Sequence, residues 1–247
     1  MRGGEQGGKA AIGSRMSQWL LDCLFPKYCL ECRREGSYWC PDCKSRPRAE
    51  YALQCFGCRG RSALTRLCED CAPNFAFVGL VIASDYENEP IGTMVRLCKC
   101  RFVRELAGEL SEQLRPALMR LLNDEAPNSA LLKDFFQAKL CPIPLSARRR
   151  RWRGFNQAEL LAEGLKTYFG LEGIDLLRRS HRPPQAKLSE AQRRTNLKDS
   201  FEAVGVPPKF VLLVDDVVTT GATLNEAART LKNAGAQEVW AVVAAKG

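Results

Sequence analysis

The 247-residue sequence has only one histidine, His181, and no apolar run long enough to cross a membrane. The apolar stretch at residues 19–25 is far shorter than the roughly 20 residues that a bilayer-spanning helix needs. The glycine-rich start also lacks the apolar core of a secretory signal. We therefore expect no membrane insertion and a location in the reducing cytoplasm.

The scarcity of histidine also bears on metal chemistry, because catalytic zinc normally combines histidine or carboxylate ligands with an open position for water. Cysteine is abundant instead. Eight of the twelve cysteines form four C-x-x-C pairs: Cys29/Cys32, Cys40/Cys43, Cys55/Cys58 and Cys68/Cys71. This spacing is typical of metal knuckles, and it argues against a secreted disulfide framework or a thioredoxin-type redox site.

Two such pairs can present four thiolates to one tetrahedral Zn²⁺ ion. Seven residues separate Cys32 from Cys40, and nine separate Cys58 from Cys68. Sequential pairing therefore gives two compact structural zinc sites, one within 29–43 and one within 55–71. An interleaved arrangement, with the first pair joined to the third, stays open.

The composition divides the chain into three segments. Residues 1–16 resemble a flexible tail, and either Met1 or Met16 can be the start. Residues 17–75 hold the four cysteine pairs but few long apolar runs, so we expect metal ions to hold this double zinc ribbon together. In residues 76–247, strand patterns alternate with helix patterns, which predicts an α/β domain with a parallel sheet covered on both faces.

Periodicity predicts the elements of that α/β domain. The predicted strands span 77–84, 139–145, 210–216 and 239–245. The predicted helices span 91–98, 103–122, 156–168 and 223–234. We interpret residues 123–136 as a polar connection.

The most informative motif is VLLVDDVVTTGAT, at residues 211–223. Its apolar half predicts a buried central strand, and Asp215 and Asp216 follow at the carboxyl end, where open α/β sheets bind ligands. These carboxylates can accept hydrogen bonds from paired sugar hydroxyls. The turn then offers backbone N–H groups and hydroxyls to a phosphate at a helix start. The candidate loop residues are Val217, Thr219, Thr220, Gly221, Ala222 and Thr223.

This order of apolar strand, paired acids and T-T-G-x-T resembles the signature of type I phosphoribosyltransferases, which bind 5-phosphoribosyl-1-pyrophosphate (PRPP). In 6-oxopurine enzymes of that class, an acid that acts on the base stands four residues before the final threonine. This sequence has Thr219 there. It is therefore closer to the orotate and amidotransferase branches, or to a protein that only binds PRPP.

The whole pattern from about residue 25 onward resembles the ComF/GntX family of phosphoribosyltransferase-like competence proteins. The shared features are four cysteine pairs, Lys99, PIPL at 142–145, RGFNQ at 153–157, QxxLS at 185–189, RRxNL at 193–197, Phe201 and the loop above. Two departures are Arg182, where the family often has threonine, and the residues before Phe201. These departures concern fine ligand contacts rather than the fold.

The resemblance implies a type I phosphoribosyltransferase fold, a Rossmann-like parallel sheet, with a small N-terminal double zinc ribbon. It also implies PRPP and Mg²⁺ as ligands and, in some members, handling of single-stranded DNA during natural transformation, with the DNA-uptake machinery as a partner. The implied pyrophosphate and hood-loop residues are Lys99, Arg148, Arg153, Asn156, Gln157, Gln185 and Arg194. The hood loop would span 178–194.

The net charge of +9 favours polyanionic partners. Five arginines surround Trp152 at 148–153, in the position of the pyrophosphate loop; they suit either PRPP or DNA phosphates, with Trp152 as a stacking surface. Three functions stay open: a glycosyltransferase that uses PRPP as donor, a nucleic-acid-handling module, and a PRPP-sensing regulator. The sequence indicates neither an acceptor nor an oligomeric state.

Overall fold

A computed structural model of the chain describes residues 26–46, 54–60, 65–87, 89–123, 130–180 and 200–247. The chain forms two compact units, Met1–Arg48 and Ala49–Gly247. The second cysteine group therefore belongs to the larger unit, while the boundary at residue 75 stays a prediction about the two kinds of module. The predicted tail, His181, Gln185 and Arg194 lie outside the described residues.

In the smaller unit, a short turn and a one-turn helix carry the first cysteine group. The turn closes through the Arg33 N–H, which donates to the Cys29 carbonyl at 2.9 Å. Helix α1 spans Pro41–Lys44, and a proline fits its first turn because the N–H of that position has no partner within the helix. Trp39 is 1% exposed and is one of the largest fully buried side chains among the described residues.

The larger unit is built on a five-stranded sheet with the order β1-β7-β6-β2-β3, in which every neighbouring pair is parallel. Its strands are β1 (Gly79–Asp85), β2 (Lys139–Pro142), β3 (Glu172–Gly173), β6 (Phe210–Val218) and β7 (Glu238–Lys246). A separate antiparallel pair joins β4 (Leu177–Arg179) to β5 (Phe201–Ala203). The apolar runs of β6 and β7 are buried on both faces, as a central parallel strand requires.

Helices cover both faces of this sheet. They are α2 (Ile91–Cys100), α3 (Leu106–Asn123), α4 (Ala130–Gln137), α5 (Ala147–Arg153), α6 (Gln157–Phe169) and α7 (Ala222–Asn233), and a 3-10 turn spans Ala72–Asn74. The α3 and α6 helices pack on each other and on the sheet, while α7 packs on β5, β6 and β7. Among the described residues, none of the helices combines the length and apolarity needed to cross a bilayer.

The structure confirms the predicted parallel α/β fold and differs from the predictions in two segments. Residues 123–136 are not simply a polar connection, because α4 lies there. Phe135, on the buried side of α4, is 2% exposed and contacts the Phe169 ring at 5.8 Å between centroids. The arginine segment after β2 is a helix rather than a loop, because Ser146 caps its start and Gly154, at φ 77°, ends it.

Candidate functional site

The site forms at the carboxyl end of the central strand β6. Successive side chains of a strand point to opposite faces of the sheet. Both acids are nevertheless shielded from solvent, since Asp216 is buried and Asp215 is half-buried. The Asp215 carboxylate accepts the Asp216 N–H at 2.9 Å, and Lys99 Nζ lies 2.9 Å from Asp216 Oδ1. The predicted acid pair and the predicted lysine therefore meet at one point.

A cleft of about 240 Å³ opens over these acids. Four cationic side chains line it together with the two carboxylates: Lys99, Arg149, Arg153 and Arg179. The rest of the lining is Ile143, Pro144, Leu145, Asn156, Gln157, Ala158, Val217 and Thr223. An array of cations beside paired carboxylates suits a ligand that carries both phosphates and sugar hydroxyls.

Three of these lining residues are fixed by hydrogen bonds around the start of α6. The Asn156 side chain accepts the Ala158 N–H at 3.2 Å and donates to the Ile143 carbonyl at 2.9 Å, so the predicted helix cap is confirmed. Gln157 donates to the Cys98 carbonyl at 3.3 Å and accepts from Arg153 at 3.1 Å. The buried Nε–H of Arg153 has no acceptor among the described residues, which leaves a desolvation cost in the free protein.

Burial raises the pKa of Asp215 from its ordinary value of 3.8 to about 7, and the negative charge of Asp216 adds to this effect. The positive charges of Lys99 and Arg179 act in the opposite direction. Burial also lowers the pKa of Arg179, as does the charge of Arg149. The free cleft thus holds charges of both signs at a desolvation cost, which a ligand with complementary charge can offset.

The cleft includes eight of the predicted site residues: Lys99, Arg153, Asn156, Gln157, Asp215, Asp216, Val217 and Thr223. Of the other predicted loop residues, Thr219 and Thr220 are exposed beyond the cleft. Gly221 caps α7 in the left-handed conformation at φ 73°, where glycine is favoured. Arg148 is exposed and does not line the cleft.

The sequence analysis missed Arg149 and Arg179 as individual site residues. Arg149 is identifiable in principle, because it stands four residues before Arg153 and shares its face of α5. Arg179 stands on β4, and its guanidinium lies 5.0 Å from the ring centroid of Phe201 on the paired strand. Its proximity to Asp215 depends on tertiary packing, so no local pattern indicates it.

The eight paired cysteines form two clusters in sequential order, Cys29/Cys32/Cys40/Cys43 and Cys55/Cys58/Cys68/Cys71, each with its sulfur atoms within 4.8 Å of one another. Sulfur–sulfur distances of 3.6 Å (Cys32–Cys40) and 3.7 Å (Cys58–Cys68) approach the edge of about 3.8 Å in a tetrahedron with zinc–sulfur bonds of about 2.3 Å. The clusters therefore fit Zn²⁺.

Two cysteines, one in each cluster, are suited to be thiolates. Burial raises the pKa values of Cys29 and Cys55, but neighbouring backbone N–H groups outweigh it and bring both to about 6. A thiolate is the form that binds a metal ion. All eleven described cysteines are free of disulfide bonds.

Next to the cleft lies an exposed aromatic pair. Phe102 is 37% exposed and Trp152 is 63% exposed, and their rings meet edge to face at 5.0 Å between centroids. Four exposed arginines are close to these two residues in the sequence: Arg101, Arg104, Arg148 and Arg151. We call these six residues the aromatic–basic surface.

A parallel sheet with paired acids at the carboxyl end of a central strand, followed by a T-T-G-A-T turn into a helix, defines a phosphoribosyltransferase-type α/β protein. In agreement, the family described as phosphoribosyl transferase domain matches residues 158–247. A solved structure titled the allosteric regulatory enzyme of purine biosynthesis is a distant likeness, 21% identical with a TM-score of 0.33 over 57% of this chain and 25% of that one.

Similarity to curated proteins identifies the family within this class. Competence protein ComFC of Streptococcus pneumoniae is 31% identical over 84% of this chain and 87% of its own length. The DNA utilization protein YhgH of Salmonella typhimurium is 30% identical, over 86% of each chain. Competence protein F of Haemophilus influenzae is 40% identical, over 40% of this chain and 46% of its own length. The chain belongs to the ComF family of competence proteins.

Proposed function

We propose that the cleft at the end of β6 binds PRPP together with Mg²⁺. The observation that carries this proposal is the convergence of Asp215 and Asp216 with four cationic side chains at the carboxyl end of a central parallel strand. The match of residues 158–247 to the phosphoribosyl transferase domain supports it. Ligands of open α/β sheets bind at this end of the strands.

Each part of PRPP has suitable partners in this arrangement. Asp215 and Asp216 accept hydrogen bonds from the ribose hydroxyls, and the backbone N–H groups at 219–223 hold the 5-phosphate at the start of α7. Lys99, Arg149 and Arg153 lie where they can hold the pyrophosphate. Mg²⁺ would supply further positive charge to offset the pyrophosphate when it is bound, with Asp215 and Asp216 as the carboxylates near it. Since Lys99 pairs with Asp216 in the free protein, ligand binding rearranges this ion pair.

Turnover is the second candidate. In a phosphoribosyl transfer, the bond between ribose C1 and the pyrophosphate oxygen breaks, the pyrophosphate leaves with the electron pair, and an acceptor adds to C1. The protein would position the donor and stabilise the leaving charge with Lys99 and Arg153. With Thr219 where purine enzymes carry an acid, the chain has no residue of that kind at the position that acts on a purine base. A PRPP-sensing role without turnover uses the same contacts.

Calorimetry with Mg·PRPP tests the site assignment. We expect wild-type protein to bind and Asp216→Asn to bind at least about tenfold more weakly, because a charge-assisted contact to a hydroxyl and the partner of Lys99 are lost. Asp175→Asn is the matched control, since Asp175 is exposed and outside the cleft. Absence of binding by the wild type would falsify the assignment. Pyrophosphate release with a panel of bases and amines separates turnover from binding alone.

We further propose that the protein handles single-stranded DNA in the cytoplasm during DNA uptake, together with the uptake machinery. Two relatives carry competence names and another a DNA utilization name. Exposed aromatic rings beside arginines suit single strands, because bases stack on the rings while arginines contact the phosphates. The aromatic–basic surface is the observation that carries this role.

Anisotropy with a fluorescent thymine oligonucleotide tests this role. We expect Trp152→Ala to lower affinity by about 1–3 kcal/mol, the contribution of one stacked base, and Trp152→Phe to retain most of it. Phe136→Ala is the matched control, because Phe136 is a 59% exposed aromatic residue on α4. Binding should also weaken steeply as salt is raised. Equal affinity of Trp152→Ala and wild type would remove this surface from the proposal.

We propose one structural zinc ion in each cysteine cluster. All eight ligands are thiols and none is histidine or carboxylate, which fits a closed site without a position for water. Metal analysis of protein purified without chelators should give two zinc ions per chain. A single zinc ion in the wild type would contradict the assignment of both clusters.

A further inference from the structure

The second cysteine cluster touches the proposed phosphate loop directly. Phe56 stands in the turn between Cys55 and Cys58, and its ring lies against Gly221. A Cβ atom added at Gly221 would come within 2.5 Å of that ring. Gly221 is both the N-cap of α7 and the centre of the T-T-G-A-T turn. The cysteine knuckle at 55–58 therefore contacts this turn through Phe56.

A second connection joins the same two regions through Asn225, in the first turn of α7. Its Oδ1 accepts the Ala76 N–H at 2.6 Å, and its Nδ2 donates to the Asn74 carbonyl at 3.3 Å. Asn74 ends the 3-10 turn that begins directly after Cys71. The start of α7 is therefore held at two places: by the segment that follows Cys71 and by the turn that follows Cys55.

Three phenylalanines fill the space between these connections. The Phe56 ring lies 5.8 Å from Phe75 and 6.1 Å from Phe77, and the last two are 5.1 Å apart. Phe77 is 1% exposed and belongs to the core beneath α7, whereas Phe56 and Phe75 are partly buried and pack against that core. The cysteine knuckle and the start of α7 therefore share one apolar contact.

We propose that the second cysteine cluster, with its zinc ion bound, holds the phosphate loop in its binding conformation, with Phe56 and Asn225 as positioning residues. This inference rests on the proposed PRPP site. A knuckle this small has no core of its own, so its shape depends on the metal. Without Phe56 against it, Gly221 can reach many backbone conformations, and ordering it again would oppose phosphate binding.

Coupling of this kind is reciprocal, because the effect of the metal on PRPP affinity must equal the effect of PRPP on metal affinity. The two clusters provide a matched pair of variants. Cys58 and Cys32 are both exposed and occupy the same place in their clusters, the second cysteine of the first pair. Cys32 belongs to the other compact unit, so Cys32→Ser removes a metal site without touching the Phe56 contact.

The experiment compares wild type, Cys58→Ser, Cys32→Ser and Phe56→Leu by zinc content and by calorimetry with Mg·PRPP. Each cysteine variant should lose one zinc ion. We expect Cys58→Ser and Phe56→Leu to weaken PRPP binding about tenfold, within the usual range of coupling between sites, and Cys32→Ser to change it by less than about twofold. A folded Cys58→Ser protein that has lost one zinc ion and binds PRPP as tightly as wild type would overturn the proposal.

Two further readouts separate positioning from general stability. Hydrogen exchange of the ligand-free proteins at residues 221–226 should be faster in Cys58→Ser and Phe56→Leu but not in Cys32→Ser. Mg·PRPP should slow the loss of one of the two zinc ions to a zinc-selective chelator in wild type, and of the remaining zinc ion in Cys32→Ser. Unchanged exchange or unchanged zinc loss contradicts the coupling.

Together, the binding and hydrogen-exchange measurements distinguish a failure of this proposal from a failure of the PRPP assignment. If the wild type does not bind PRPP, the proposed function fails, and the exchange comparison alone decides whether the cluster orders the loop. If Cys58→Ser does not fold, Phe56→Leu decides, because it retains all eight cysteine ligands. Normal PRPP affinity and normal exchange in Phe56→Leu would then refute the positioning role.

Discussion

Asp215→Asn should make the protein more stable and at the same time a poorer binder of PRPP. Burial and the neighbouring Asp216 raise the pKa of Asp215 from 3.8 to about 7. An acid with a raised pKa in the folded state favours folding when it is protonated. The contribution of Asp215 to stability therefore decreases as pH rises from about 4 to about 7, and then stays level, because the folded protein binds this proton more tightly than the unfolded chain. Asparagine has no proton to lose and removes this dependence.

The size of the effect follows from the pKa shift. Roughly three pKa units at about 1.4 kcal/mol each correspond to about 4 kcal/mol for ionising Asp215 in the folded protein at pH 8. The carboxamide is still a polar group that must be desolvated, so we expect a gain of about 2 kcal/mol from Asp215→Asn at pH 8. For a unit of this size, that gain raises Tm by about 4–8 °C. The gain should shrink as pH falls towards 5.

Thermal unfolding followed by circular dichroism at several pH values between 5 and 8 measures this effect. The exposed Asp175→Asn serves as the control for loss of one negative charge. In parallel, PRPP affinity of the wild type should rise with pH through about 7, as the carboxylate forms, and the Asp215→Asn profile should be flatter. A Tm difference that does not change with pH would refute the reasoning, and so would a less stable variant at pH 8.

Three other predictions concern α5, its neighbouring caps and the metal ions. Arg153→Ala should weaken PRPP binding, measured by calorimetry, whereas Arg148→Ala should leave PRPP binding unchanged. Arg148→Ala should instead reduce the salt dependence of DNA binding by about one counterion, measured by anisotropy across a salt series. Asn156→Ala should lower the free energy of unfolding in urea by about 2 kcal/mol, because it removes a buried cap with two backbone partners. Ser146→Ala, at the more exposed cap of α5, should lower it by about 1 kcal/mol. Stripping zinc with a chelator should lower the Tm of the larger unit as well as unfolding the smaller one, since the second cluster packs against the core under α7; an unchanged transition of the larger unit would contradict this packing argument.

The spacing of residues on α5 has a consequence for the two proposed ligands. Arg149 and Arg153 are four residues apart, and so are Arg148 and Trp152. Residues four apart share a helix face. Arg149 and Arg153 line the cleft, whereas Arg148 and Trp152 do not. A bound PRPP molecule and a bound DNA strand would therefore contact adjacent faces of one short helix, about 100° apart. Measuring PRPP binding with and without oligonucleotide tells whether the two ligands compete, cooperate or ignore each other.

Much of this protein follows from the sequence by itself. The uninterrupted apolar run at 210–214 is typical of a strand buried on both faces, and the alternation of strand and helix patterns favours a parallel sheet. The paired acids and T-T-G-A-T at its end indicate the site, because backbone geometry there depends on neighbouring residues alone. The four C-x-x-C pairs indicate metal knuckles for the same reason. Helix α4 escaped prediction because its polar approach at 123–129 hid the short apolar face that contains Phe135.

Only the tertiary structure decided how these local features meet. Sequential grouping of the cysteines, the approach of Lys99 to Asp216 and the place of Arg179 in the cleft each join residues distant in the chain, and no periodic pattern encodes such distances. The same is true of the Phe102–Trp152 pair and of Phe56 against Gly221. Local sequence determines which conformations a segment can adopt, whereas the packing of side chains between segments determines which of them share a site.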